Sequence, residues 1–199
     1  MDQLPTRLQG PLLLQPKVFG DERGFFCETF RASALAELGV TEDFVQDNHS
    51  RSRHGTVRGM HFQIGAGAAK LVRCGRGTIV DVLVDLRRGS PTYGEWEAYE
   101  LSDTTMRVLY APVGFGHGFV VTSEVADVIY KQSNYYSTDV ERGISFMDED
   151  IAVEWPVPRE DWVYSERDAG AHLGLEHRGP SLGNEVRCGR RVRCFIHRR

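Results

Sequence analysis

Two histidines carry the first chemical suggestion in this sequence. His61 lies in Val57-Arg58-Gly59-Met60-His61-Phe62-Gln63, where the two-residue period of an extended strand puts Gly59, His61 and Gln63 on one face. His117 lies in Pro112-Val113-Gly114-Phe115-Gly116-His117-Gly118-Phe119, a glycine-rich approach to a second strand. Upstream stand Gln46, Asn48 and Ser50, which share strand parity, followed by Arg53 and Arg58. Lys70 follows His61 by nine residues, room for a loop and a return on a neighbouring strand. It is one of only three lysines among 24 Lys and Arg residues. His61, Lys70, Arg58 and Arg23 together suit an anionic ligand such as a nucleoside diphosphate. A histidine base beside a cation and a tyrosine acid suits proton abstraction next to a carbonyl. No Walker loop and no Gly-x-Gly-x-x-Gly stretch accompanies them, which argues against phosphoryl transfer and dinucleotide binding.

The elements that must position these residues read as short strands with turn punctuation. Leu12 to Phe19 is extended, residues 20–24 form a turn, and Gly24 to Phe30 returns as a second strand. Ser33 to Leu38 reads as a short helix stopped by Gly39. Thr78 to Leu86 is rich in β-branched residues, and Tyr93 to Leu101 pairs back after the Arg87-Arg88-Gly89-Ser90-Pro91 turn. Further strands are expected at 43–48, 57–63, 69–75, 106–111, 117–122 and 125–132. Ser165-x-x-Asp168 offers a late helix start. The spacing predicts an all-β jelly-roll barrel or sandwich with a few short helices, in one domain over residues 1–173.

The chain has 199 residues, 41% hydrophobic and 26% charged, a soluble globular profile that excludes collagen-like and disulfide-scaffold classes. No apolar run approaches the roughly 20 residues of a membrane-spanning helix, and Met1-Asp2-Gln3-Leu4-Pro5 lacks signal-peptide character. A cytoplasmic protein with neither nucleic-acid nor membrane partners is expected. The last 26 residues hold seven arginines against Glu176 and Glu185, a net of +5, leaving −9 on residues 1–173. Residues 174–199 therefore read as an atypical basic tail, a solvated terminus outside the domain. Cys27, Cys74, Cys188 and Cys194 form no Cys-x-x-Cys pair and read as reduced, with Cys27 and Cys74 buried as small hydrophobes.

The stretch Pro112-x-Gly114-x-x-His117 resembles the second motif of the cupin jelly-roll family. Where metal-binding cupins carry His-x-His, this chain has His61-Phe62-Gln63. Two imidazoles without a carboxylate fall short of the three protein ligands such metals usually take, so neither a metal nor another cofactor is expected. Six ordered blocks over residues 10–172 extend the likeness. They are PKVFGDERGFFCETF, FVQDNHSRSRHGTVRGMHFQ, AAKLVRCGRGTIVDVLVDLRRGSPTYGEW, YAPVGFGHGFVVTSEVADVIYKQSNYYS, ERGISFMDEDIAVEWP and YSERDAG. Together they resemble the dTDP-4-dehydrorhamnose 3,5-epimerase family.

That resemblance implies a metal-free cupin acting as a homodimer that inverts C3 and C5 of a dTDP-4-keto-6-deoxy sugar. It implies His61 as general base, Asp168 as its acidic partner, Lys70 as enolate stabiliser and Tyr130 as proton donor on the opposite face. It implies substrate contacts at Gln46, Asn48, Arg58, His117, Glu141 and Arg167, with Phe26 and Tyr136 flanking the thymine. Arg23 and Glu28 match positions that help form a site with the partner chain. Relatives that invert only C3 or only C5 share the same acid–base set, and a non-catalytic nucleotide-sugar-binding cupin is the alternative outside enzymology.

Overall fold

The computed structural model describes residues 1–171 and folds them chiefly into antiparallel strands joined by glycine-bearing turns. In chain order the strands are β1 (Asp2–Leu4), β2 (Leu12–Gln15), β3 (Val18–Asp21), β4 (Gly24–Cys27), β5 (Gln46–Arg53), β6 (Val57–Gln63) and β7 (Lys70–Arg76). They continue as β8 (Thr78–Asp85), β9 (Trp96–Ser102), β10 (Val108–Ala111), β11 (Phe115–Val121), β12 (Val125–Gln132) and β13 (Glu141–Gly143). Helix α1 (Ala32–Glu37) follows β4, and α2 (Glu166–Ala169) closes the described chain.

The eight strands β5 to β12 behave as one long antiparallel ribbon. Its first half pairs with its second half as β5 with β12, β6 with β11, β7 with β10 and β8 with β9. Rolling that ribbon brings β12 against β7 and β11 against β8, giving two facing sheets. Their orders are β1-β2-β10-β7-β12-β5 and β13-β6-β11-β8-β9. This is the jelly roll that the strand spacing predicts.

Between the sheets lies a core of Leu13, Val72, Cys74 and Leu109 from one side and Ile79, Leu83, Phe115 and Phe119 from the other. The outer face of the second sheet is also covered. Val80, Val82 and Val84 point outward from β8 and are buried under Phe146, Ile151 and Val157. Strand β8 is therefore apolar on both faces, which is why its sequence is nearly continuous in β-branched residues. The carboxylates Asp81 and Asp85 are the exceptions, both fully buried. Helix α1 covers part of the first sheet's outer face, packing Leu35 with Val40 on Leu71, Val108 and Tyr110.

The structure revises several expectations. The extended stretch from Leu12 breaks at Pro16, so β2 joins the first sheet while β3 pairs only with β4. That hairpin belongs to neither sheet and exposes Phe19, Phe25 and Phe26. Cys74 is buried as expected, but Cys27 sits at the hairpin's end and is only partly covered. Strands β6 and β7 lie in opposite sheets, so the loop at 64–69 crosses the sandwich and Lys70 faces His61 across the interior rather than from an adjacent strand. The strand expected at 43–48 runs instead over Gln46–Arg53. The basic stretch at 174–199 lies outside the described residues. No helix among the described residues is long and apolar enough to cross a membrane.

Candidate active site

Strand β5 ends the first sheet, and β6 lies beside the last strand of the second. Where they face each other, the side chains turned inward are polar. The inner face of β5 carries Gln46, Asn48, Ser50 and Ser52, each less exposed than the residues between them. Arg58 of β6 reaches across, its Nε donating to Ser52 Oγ at 3.0 Å.

Two aspartate–histidine pairs stand side by side on the second sheet, because His61 of β6 and His117 of β11 are register partners. His61 Nε2 lies 2.6 Å from Asp168 Oδ1. Burial alone would raise the Asp168 carboxyl, but the hydrogen bond and charge of His61, with help from Ser165 and Arg167, hold it below the usual carboxylate range. The carboxylate therefore stays ionised, takes the Nε2 proton as acceptor, and leaves Nδ1 as the basic nitrogen of His61.

The second pair is deeper. His117 Nε2 donates to Asp81 Oδ2 at 2.9 Å, and its Nδ1 lies 3.4 Å from Lys70 Nζ. Burial lowers the His117 pKa, against the opposing pull of Asp81, so the ring is neutral and its Nδ1 accepts from the lysine. Burial likewise lowers the Lys70 pKa, opposed by Glu141 and Asp81. The chain Asp81–His117–Lys70 thus aims an ammonium group into the cleft from its floor.

Tyr130 on β12 is the register partner of Asn48 on β5 and of Val72 on β7, which puts its ring beside both. Burial, reinforced by Glu141, raises its pKa, so the phenol carries its proton at neutral pH. Asn48 accepts from Gln46 Nε2 at 2.9 Å, while its own amide nitrogen and the Ser50 hydroxyl are buried without a hydrogen-bond partner among the described residues. Buried donors left free in a polar cleft are the mark of a place where a ligand or water completes the bonding. Base, cation, phenol and free amide donors around one cleft can remove a proton from a carbon next to a carbonyl, steady the enolate and return a proton.

Of the residues expected from the sequence, the structure gathers His61, Asp168, Lys70, His117, Tyr130, Gln46, Asn48 and Arg58 around this cleft. Glu141 and Arg167 meet at its rim, bonded to one another at 2.9 Å, and Arg167 also donates to the Tyr136 hydroxyl at 3.3 Å. Arg23, Phe26 and Glu28 are not brought in. Arg23 pairs with Asp21 and Glu28 with Arg31, both on the hairpin side, and Phe26 is 68% exposed. Sequence reasoning missed Asp81 and Ser52. The only signal for Asp81 was a carboxylate inside the apolar run Ile79-Val80-Asp81-Val82-Leu83.

The family model for dTDP-4-dehydrorhamnose 3,5-epimerase matches residues 5–175. The chain belongs to that family. The dTDP-4-dehydrorhamnose 3,5-epimerase of Salmonella typhimurium is 48% identical over 172 residues, spanning 85% of this chain and 93% of its own. Among solved structures, the dTDP-4-dehydrorhamnose 3,5-epimerase of Elizabethkingia anophelis superposes with a TM-score of 0.85 at 41% identity, over 89% of this chain and 98% of its own. The dTDP-6-deoxy-D-glucose-3,5-epimerase of Legionella pneumophila, solved in complex with dTDP-4-keto-L-rhamnose, gives 0.84 at 43% identity over 86% and 92%. Membership in this epimerase family makes the protein an isomerase with a cupin-type jelly-roll fold.

Proposed function

We propose that this protein inverts C3 and C5 of dTDP-4-dehydro-6-deoxy-D-glucose to give dTDP-4-dehydro-L-rhamnose. The observation that carries the reading is the His61–Asp168 pair at 2.6 Å beside Lys70 and Tyr130, in a chain of the epimerase family.

The 4-keto group acidifies the hydrogens on both neighbouring carbons, so one base can serve two inversions. His61 Nδ1 takes the proton from C3 or C5, and the C–H electron pair moves into the enolate. The Lys70 ammonium neutralises the charge developing on the enolate oxygen. Tyr130 then delivers its phenolic proton to the opposite face of the same carbon, which reverses the configuration. His61 releases its proton to water, Tyr130 recovers one from water, and the second carbon follows. Asp168 supports the imidazolium while it exists. Arg58 holds the diphosphate, and Gln46 and Asn48 bind the sugar.

Incubating the enzyme with dTDP-4-keto-6-deoxyglucose in D₂O is expected to place deuterium at both C3 and C5, read by NMR of the product. Label at a single carbon would overturn the double inversion, and no label at all would sink the enzymatic reading.

The β3–β4 hairpin supports a homodimer. Its exposed phenylalanines and its separation from both sheets leave Arg23, Phe26 and Glu28 without a role in their own cleft, and exchange with a second copy would supply them to the partner's site. Phe26 and Tyr136 would then flank the base. Co-expressing Arg23→Ala and His61→Ala chains, each poorly active alone, is expected to recover up to about a quarter of wild-type turnover, because roughly half of randomly paired dimers are mixed and each mixed dimer holds one intact site of two. Recovery no greater than the sum of the separate variants overturns the exchange.

A further inference from the structure

We infer that Glu141 and Arg167 form a latch that holds Asp168 against His61, so that the base is completed only when the last helix is docked. The inference rests on the epimerase reading for the role of His61 and adds a positioning function to two residues that the resemblance treats as substrate contacts.

Helix α2 has four residues, too few to persist alone. Its start is organised locally, with the Ser165 hydroxyl accepting from the Asp168 backbone N–H at 3.1 Å. In the usual capping pattern, the acidic residue at this position turns back to the helix start. Here the Asp168 carboxylate points instead to His61, so local capping fixes its backbone but not its docking.

Docking comes from elsewhere. Glu141 is on the edge strand β13, register partner of Gln63 and two residues from Gly143, the partner of His61. Its side chain is only 11% exposed, and Arg167 is its ion-pair partner. An exposed ion pair contributes little, but a carboxylate this covered is costly to leave unpaired, which gives the contact its holding strength. The chain passes close at this edge, since a Cβ on Gly143 would come within 3.1 Å of the Ala171 side chain and 3.9 Å of the His61 ring. Arg167 thus ties one side of α2 to the strand beside His61, while Asp168, next in sequence, faces the ring itself.

The test removes the pair as a unit, E141Q/R167M, so that no unpaired carboxylate is left near Lys70 and Tyr130. A loose Asp168 is expected to lower kcat about 30- to 100-fold, a loss in turnover beyond any rise in KM from the substrate contacts removed with the pair. The same double change made in D168N is expected to cost no more than about twofold, because its effect passes through Asp168. The R167K chain keeps a cation for Glu141 and is expected to lose less kcat than E141Q/R167M. An equal loss in D168N, or a rise in KM with kcat unchanged, overturns the latch and leaves both residues as substrate contacts. A second readout does not depend on turnover. The imidazole proton shared with Asp168 should give a low-field NMR signal in wild type and R167K that broadens away in E141Q/R167M. A signal that survives in E141Q/R167M overturns the inference, whereas a wild-type enzyme that shows this pattern but exchanges no deuterium would sink the epimerase reading alone.

Discussion

Replacing His61 with alanine is expected to stop deuterium incorporation at C3 and C5 alike, with a fall of about 10³-fold in each rate. The equality is the informative part. Of the two cleft imidazoles among the described residues, only His61 has its second nitrogen free, since His117 commits Nε2 to Asp81 and Nδ1 to Lys70. On the proposed mechanism a single base serves both carbons, with the sugar presenting each in turn. Substrate affinity should change little, because the proposed mechanism assigns the diphosphate to Arg58 rather than to the base. Calorimetry with dTDP would check that, and NMR in D₂O would follow each carbon separately. If one carbon continues to exchange at the wild-type rate, a second base exists and the one-base mechanism fails.

Lys70→Met is expected to cost about 100- to 1,000-fold in kcat, the range for losing a principal oxyanion stabiliser from a water-poor site. The pH dependence separates this role from packing. On the proposed mechanism the protonated lysine is the active form, so activity is expected to fall as pH rises through the Lys70 pKa, which burial has already lowered. Asp81 raises that pKa by its negative charge, and Asp81→Asn removes the charge while keeping the shape. The alkaline limb of the pH–rate profile is therefore expected to move to lower pH in Asp81→Asn, and in Lys70→Met to be left to ionisation of the Tyr130 phenol alone. His117 does not confuse the result, because loss of Asp81 favours its neutral form still further. An alkaline limb that stays in place or moves upward in Asp81→Asn would show that Lys70 is not the group titrating there.

Much of this site was legible in the sequence because its residues interrupt local patterns. His61 and His117 sit among glycines in strand-like stretches, and Gln46, Asn48 and Ser50 keep strand parity across a face that would otherwise be apolar. Ser165-x-x-Asp168 announced the helix that carries the acidic partner. What escaped were features decided by the third dimension. Asp81 follows the alternation of β8 and reads as a solvent-facing residue, yet both faces of that strand are covered and the carboxylate points inward. Strand β13 has three residues and no periodicity, and only its pairing with β6 defines it. The placement of Lys70 was misjudged because loop length alone does not tell a hairpin from a crossing between sheets. The detached hairpin was hidden for a similar reason. Its alternating aromatics look like any strand pair until both sheets close without it.

The distance in sequence between the two halves of the base has a consequence for how the protein is made. His61 and Asp168 are 107 residues apart. At a ribosomal rate of about 5–20 residues per second, the imidazole is synthesised roughly 5–20 s before the carboxylate that orients it. Strands β6, β7 and β11 can all be in place on a nascent chain during that interval, with Lys70 and His117 already set. Competence then arrives as a late event, when the last described turn of helix leaves the exit tunnel and finds the edge of the second sheet. A chain halted or clipped before Ser165 would keep every strand of both sheets and lack the Asp168 carboxylate.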